Sequence, residues 1–213
     1  MKHRVRRYFN SRVRIKQSQP KPETMKYVRL AVFLCFVAGI FCANLMDREQ
    51  LGGFGIWNTY FIEKFKYARI HSMELFYHVL KERLPVFLLL LLFSMTNWGK
   101  AAGTIFLSWQ SFAAGFFITS SVAVYSIKGL LLIGTAVTPQ YLIYIPMYIS
   151  YFYVAAFWKE KIRMAKREAG KNPVREYLVF ASMCICIVSV YLAGIFLESY
   201  VNPYLLKKIL KFF

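Results

Sequence analysis

Apolar residues fall in five runs separated by basic segments, and the runs have helical rather than strand-like length. They cover Tyr27–Met46, Leu84–Trp98, Ala101–Val124, Gln140–Trp158 and Tyr177–Leu197. All but the second match the ~20 apolar residues that a helix needs to cross hydrocarbon. The second is short. Pro85 suits a helix start and a helical pattern arrives from upstream, so the span is expected to continue a helix that begins at the membrane surface.

That upstream segment, Asn58–Arg83, repeats Phe61, Ile62, Phe65, Met73, Phe76 and Leu80 at helical spacing, with Lys64, Lys66 and Arg69 on a basic face. It predicts an amphipathic helix on the outer leaflet, whose polar side offers a docking surface. Between the third and fourth runs, Gly129–Val137 is apolar but short. At ~1.5 Å per residue it covers well under half of a ~30 Å core. Ile127–Pro139 therefore predicts a re-entrant or interfacial half-helix, broken by Pro139 from the next span, and a sixth crossing is the competing arrangement. The fold class is all-α: a polytopic membrane helix bundle of about five transmembrane helices, one half-helix and one outer amphipathic helix.

Charge sets the orientation. Nine Lys and Arg precede the first span, Arg29 stands in its first turn, and seven lie in Lys159–Arg175; with Lys100, a five-span order puts 18 of the 28 basic residues on one side with the N-terminus. The positive-inside rule makes that side cytoplasmic. Residues 1–25 then read as a basic cytoplasmic tail and residues 26–213 as one membrane domain, giving a multi-pass protein of the cell membrane. The first span has a long basic leader and no A-x-A site, so it is expected to be retained.

The net charge of +18 raises nucleic-acid binding, but the basic residues stand at span borders, where anionic lipid is the expected partner. No nucleic-acid partner is expected. Cys35 and Cys42 in the first span and Cys184 and Cys186 in the fifth match no zinc spacing. His71 and His78 share nearly one helical face with Glu74 and Glu82, and a solvated face with Glu74–His78 pairing is preferred to a metal site. No metal, cofactor or catalytic residue is assigned. The chain carries no H-E-x-x-H or nucleotide-binding glycine motif and no paired carboxylates within a span, so a non-enzymatic protein is expected.

Two features within the bilayer carry more. Ser111, Gly115 and Thr119 recur every fourth residue of the third span, which predicts a close-packing seam, either internal or between protomers of a homo-oligomer. Gly115→Leu should disrupt it and Gly115→Ala should be mild. Glu198 ends the fifth span just before Asn202 and Pro203. It is expected to reach interfacial water or, if buried, to pair with Lys128 or the Gln140 amide.

The run Leu197-Glu198-Ser199-Tyr200-Val201-Asn202-Pro203, with Thr138–Pro146 (including Pro139, Gln140 and Pro146), Lys128-Gly129-Leu130-Leu131, Arg83-Leu84-Pro85 and Trp98-Gly99, resembles the stage II sporulation protein M family over roughly residues 27–208. The resemblance implies a non-enzymatic membrane protein of spore engulfment that holds two peptidoglycan-remodelling enzymes, stage II sporulation proteins D and P, at the septal membrane. The alternative is a transporter or permease-like subunit, suggested by the Pro/Gly-interrupted segment Gly129–Pro146.

Overall fold

The computed structural model describes residues 22–53, 71–158, 160 and 174–210. Every element among them is helical: α1 (Pro22–Asn44), α2 (Arg48–Gly53), α3 (Ser72–Ser94), α4 (Gly99–Phe157), α5 (Val174–Tyr200) and α6 (Asn202–Leu210). Three stretches, Met25–Asn44, Gly99–Thr135 and Val174–Leu210, are long and apolar enough to cross a membrane. Large apolar side chains stand exposed around the outside, among them Phe33, Phe41, Ile105, Leu142 and Ile185. In water that surface would be a severe liability; against acyl chains it costs nothing. The chain is thus compatible with a multi-pass membrane protein.

Helix α4 is two helices. Ser126, at φ 55° and ψ −134°, is the one non-helical residue within it and the only non-glycine residue with positive φ among those described. The chain turns back there. Tyr151 donates from its hydroxyl to the Gly99 carbonyl at 2.9 Å, Phe106 meets Tyr148 at 5.4 Å, and the Ser121 hydroxyl donates to the Gly129 carbonyl at 2.8 Å. These pairs run in opposite sequence directions, so arms 99–125 and 127–157 form an antiparallel hairpin. A β-carbon at Gly129 would collide with the Ser121 carbonyl, which is why the tip needs glycine there.

This overturns the expected half-helix. Residues 127–157 form one continuous arm, and neither Pro139 nor Pro146 breaks it. Proline keeps a helical φ and removes only one backbone donor, a loss that packed neighbours in a bundle absorb.

The second span continues an upstream helix, as expected: it is the later half of α3, which begins at Ser72 and holds Pro85 inside it. Residues 72–83 of the expected Asn58–Arg83 outer helix are the first half of α3 and lead into that span. The earlier part of the expected helix, with Lys64, Lys66 and Arg69, lies outside the described residues, as do most of the N-terminal tail and the basic loop.

Directions of the other helices follow from their contacts. Ser111 on the first arm donates to the Val32 carbonyl of α1 at 2.8 Å, and Gly115 lies against Phe36, so those two helices run parallel. Phe76 faces Tyr200 at 6.4 Å while Phe87 stacks on Tyr191 at 4.1 Å, so α3 and α5 are antiparallel. Tyr144 meets Tyr191 at 5.3 Å and Trp158 meets Phe180 at 4.7 Å, so the second arm and α5 are antiparallel as well. The main core, built on Phe87, Leu90, Tyr144, Met147, Tyr151, Phe152 and Ile195, fills the space among α3, α4 and α5. A smaller cluster seats Leu206 and Leu210 of α6 on Leu132 and Ile133 near the hairpin tip.

Candidate functional site

The contact pairs that fix helix direction also fix depth. Arg83 is the central residue of the 23 in α3, and Tyr144 and Gln140 lie near the middle of the second arm. Val32, level with Ser111, is near the middle of α1. A charged group therefore stands partly buried midway along these helices, where within a membrane an unpaired one is expensive: about 2.5–3.5 kcal/mol at a helix centre by insertion measurements.

Its partner is Glu198. The Arg83 guanidinium Nη2 donates to Glu198 Oε1 at 2.5 Å, joining α3 to α5, with side chains 34% and 15% exposed respectively. The Tyr144 hydroxyl donates to Glu198 Oε2 at 2.9 Å, joining the second arm of α4. The Arg83 guanidinium carbon also stands 5.9 Å from the Tyr144 ring centroid, a cation–π geometry. Tyr191 supports the same level, donating to the Arg83 carbonyl at 3.3 Å. That carbonyl lies in the turn that Pro85 weakens by lacking an N–H.

Gln140 completes the ring. With its amide oxygen inward it accepts from Asn202 Nδ2 at 3.0 Å, but that oxygen then faces a carboxylate. With the nitrogen inward it donates to both Glu198 oxygens at 3.2 Å. The second orientation is the one that electrostatics requires, since two acceptors at that separation repel, and it calls for Asn202 to turn as well so that its amide oxygen, not its nitrogen, meets the Gln140 nitrogen at 3.0 Å. Glu198 thus gathers donors from α3 and from two residues of α4, one helical turn apart. Asn202 and Pro203, both buried, start α6 directly beneath it. Gly194 makes room for Tyr144: a β-carbon there would strike the tyrosine ring.

Several sequence expectations are resolved by this geometry. Glu198 is paired in the interior instead of reaching interfacial water. Of its two named candidates, Gln140 is a partner and Lys128 is not, because Lys128 lies roughly 18 Å along the arm from Gln140. Arg83, counted with the outer loop, is the ion-pair partner that sequence reasoning missed, and Tyr144 and Tyr191 were missed with it. Pro139 adjoins Gln140 and Pro146 is exposed two residues beyond Tyr144. The local signal for Arg83 was a basic residue at the threshold of a leucine run; nothing nearby in sequence named a partner 115 positions away.

Gly115 does belong to a seam, and the seam is internal. A β-carbon at Gly115 would collide with the Phe36 carbonyl, and one at Gly39 with the Phe112 carbonyl. The backbones of α1 and the first arm touch. Even alanine is too large, which corrects the expectation that Gly115→Ala is mild. His78 pairs with Glu82 at 3.4 Å instead of with Glu74, and among the described residues no three His, Cys, Asp or Glu side chains gather as a metal site.

Chemically the arrangement is a neutralised lock. It joins three helices through a carboxylate whose charge is compensated, and it places no activated nucleophile beside it. No known family, curated protein or solved structure matches the chain.

Proposed function

We propose that the chain is a non-enzymatic multi-pass membrane scaffold with a cytoplasmic N-terminus, crossing the membrane five times. Its helices α1, α3, the two arms of α4, and α5 alternate in direction, which supports the five-crossing order. The observation that carries the scaffold reading is the closure of the central charges on one another. Arg83, Glu198, Tyr144 and Gln140 satisfy each other, and a separate groove between α3 and the first arm, which none of the four lines, is walled by apolar side chains such as Leu90, Phe93, Ala102 and Phe106. A solute path would instead aim such groups at a water-filled cavity. A rigid bundle of this kind suits a protein that positions others.

Resemblance of Leu197–Pro203 and Thr138–Pro146 to the stage II sporulation protein M family supplies the partner class: peptidoglycan-remodelling proteins at a septal membrane, stage II sporulation proteins D and P among them. The permease reading keeps one favouring observation, an Arg–Glu pair at the waist beside an arm with two prolines. One pair of experiments separates the readings. Co-purification of cell-wall remodelling proteins, weakened by charge reversal at Lys64, Lys66 and Arg69 with normal accumulation of the chain, supports the scaffold. Solute flux into liposomes carrying the purified protein alone overturns it.

A further inference from the structure

The last described helix, α6, ends on the tip of the α4 hairpin. It has nine residues, with Pro203 in the first turn, where proline needs no backbone donor. A helix that short is marginal by itself, so α6 depends on what it sits on. Its seat spans both arms. Leu206 and Leu210 form one apolar cluster with Leu132 and Ile133 of the second arm and with Ile118 and Tyr125 of the first, and Leu210 is 2% exposed. Tyr204 and Lys208 face outward.

Between the two halves of that seat stands Ser126. Its φ of 55° and ψ of −134° belong to a region that glycine enters freely and a residue with a β-carbon does not. Such a conformation persists only where its surroundings impose it. Two sets of contacts do so here: the Ser121 hydroxyl bonded to the Gly129 carbonyl across the tip, and the α6 leucines, which join the arms on either side of the turn. The leucines are the easier to remove. A short helix seated on few side chains is the kind of element that opens locally, and strain stored in the turn favours that opening. The base of α6 is fixed more firmly, because buried Asn202 meets the Gln140 amide that also reaches Glu198. Its far end can lift while its base stays anchored.

We propose that α6 is a clasp with a seated and a released state, hinged at Val201, which holds the strained Ser126 turn closed and whose release opens the hairpin tip. The test uses the full chain in mixed detergent micelles, with Cys35, Cys42, Cys184 and Cys186 replaced by serine, so membrane orientation does not enter. Leu132→Cys, under the clasp, should react with a thiol reagent about tenfold or more slower than exposed Lys208→Cys, and much faster than Val154→Cys, which is 0% exposed in the main core. Adding Leu206→Ser with Leu210→Ser should raise the Leu132→Cys rate to that of Lys208→Cys. Adding Ser126→Gly should slow Leu132→Cys about fivefold, because relieved strain no longer favours release and glycine's extra freedom offsets part of the gain. Lys208→Cys should not change with it.

A Leu132→Cys rate as slow as that of Val154→Cys would mean that only global unfolding bares the seat, and would overturn the clasp. A rate already equal to that of Lys208→Cys would leave α6 unseated and overturn it as well. Indifference to Leu206→Ser with Leu210→Ser would show that α6 is not the cover. Indifference to Ser126→Gly would uncouple the turn from the helix, which removes the device.

Discussion

Removing one side of the Arg83–Glu198 pair should cost far more than removing both. In Glu198→Leu, Arg83 keeps its place at the waist with no carboxylate, and its side chain, 34% exposed, gains only part of the hydration it needs. Breaking a buried pair in this way costs about 3–5 kcal/mol, and partial exposure of the guanidinium puts the value here near the low end, about 3 kcal/mol. Arg83→Met should be milder, about 2 kcal/mol, because Glu198 retains the Tyr144 hydroxyl and the Gln140 amide as donors. The double variant removes both charges and leaves Tyr144 and Gln140 short of an acceptor, a further cost of about 2 kcal/mol in all. The coupling in the cycle is then about 3 kcal/mol, at the upper end for residues in contact. Equilibrium unfolding in mixed detergent micelles measures all four proteins. Additivity within about 0.5 kcal/mol would refute the network as a unit. Glu198→Gln, which loses the charge but still accepts from Tyr144, should fall between wild type and Glu198→Leu.

The α1 seam gives a sharper steric test: Gly115→Ala and Gly39→Ala each drive a β-carbon into a backbone carbonyl, so each should lose about 1–3 kcal/mol by the same unfolding assay, with Gly115→Leu losing more. Unchanged stability of Gly115→Ala would mean the helices separate freely. At the hairpin tip, Gly129→Ala should lower folding yield through its clash with the Ser121 carbonyl, while Ser121→Ala, which loses one buried hydrogen bond, should cost only about 1 kcal/mol. For topology, a cysteine at Arg167 should be shielded from a membrane-impermeant thiol reagent in intact cells and one at Lys211 should label; the reverse pattern would sink the five-crossing order.

Hydropathy alone determined that the chain is helical and apolar enough to span a membrane, and it located the helices near α1, the first arm of α4, and α5, because span length and apolar content are local properties of a run. The small-residue spacing at Ser111 and Gly115 likewise marked a seam without any structure. Local patterning could not say which helix fills that seam, so it underestimated how tightly Gly115 is held: the size limit belongs to the Phe36 carbonyl, not to the first arm. Pro139 signalled a break that did not occur, since whether a helix continues past proline depends on the neighbours packed against it. Arg83 and Glu198 show the limit most directly. A charged residue in a sequence reads as a boundary with water, and each of these was placed at one. Only the antiparallel packing of α3 on α5 brings the two together, and neutralisation by an opposite charge distant in sequence is what lets both lie partly buried between the helices.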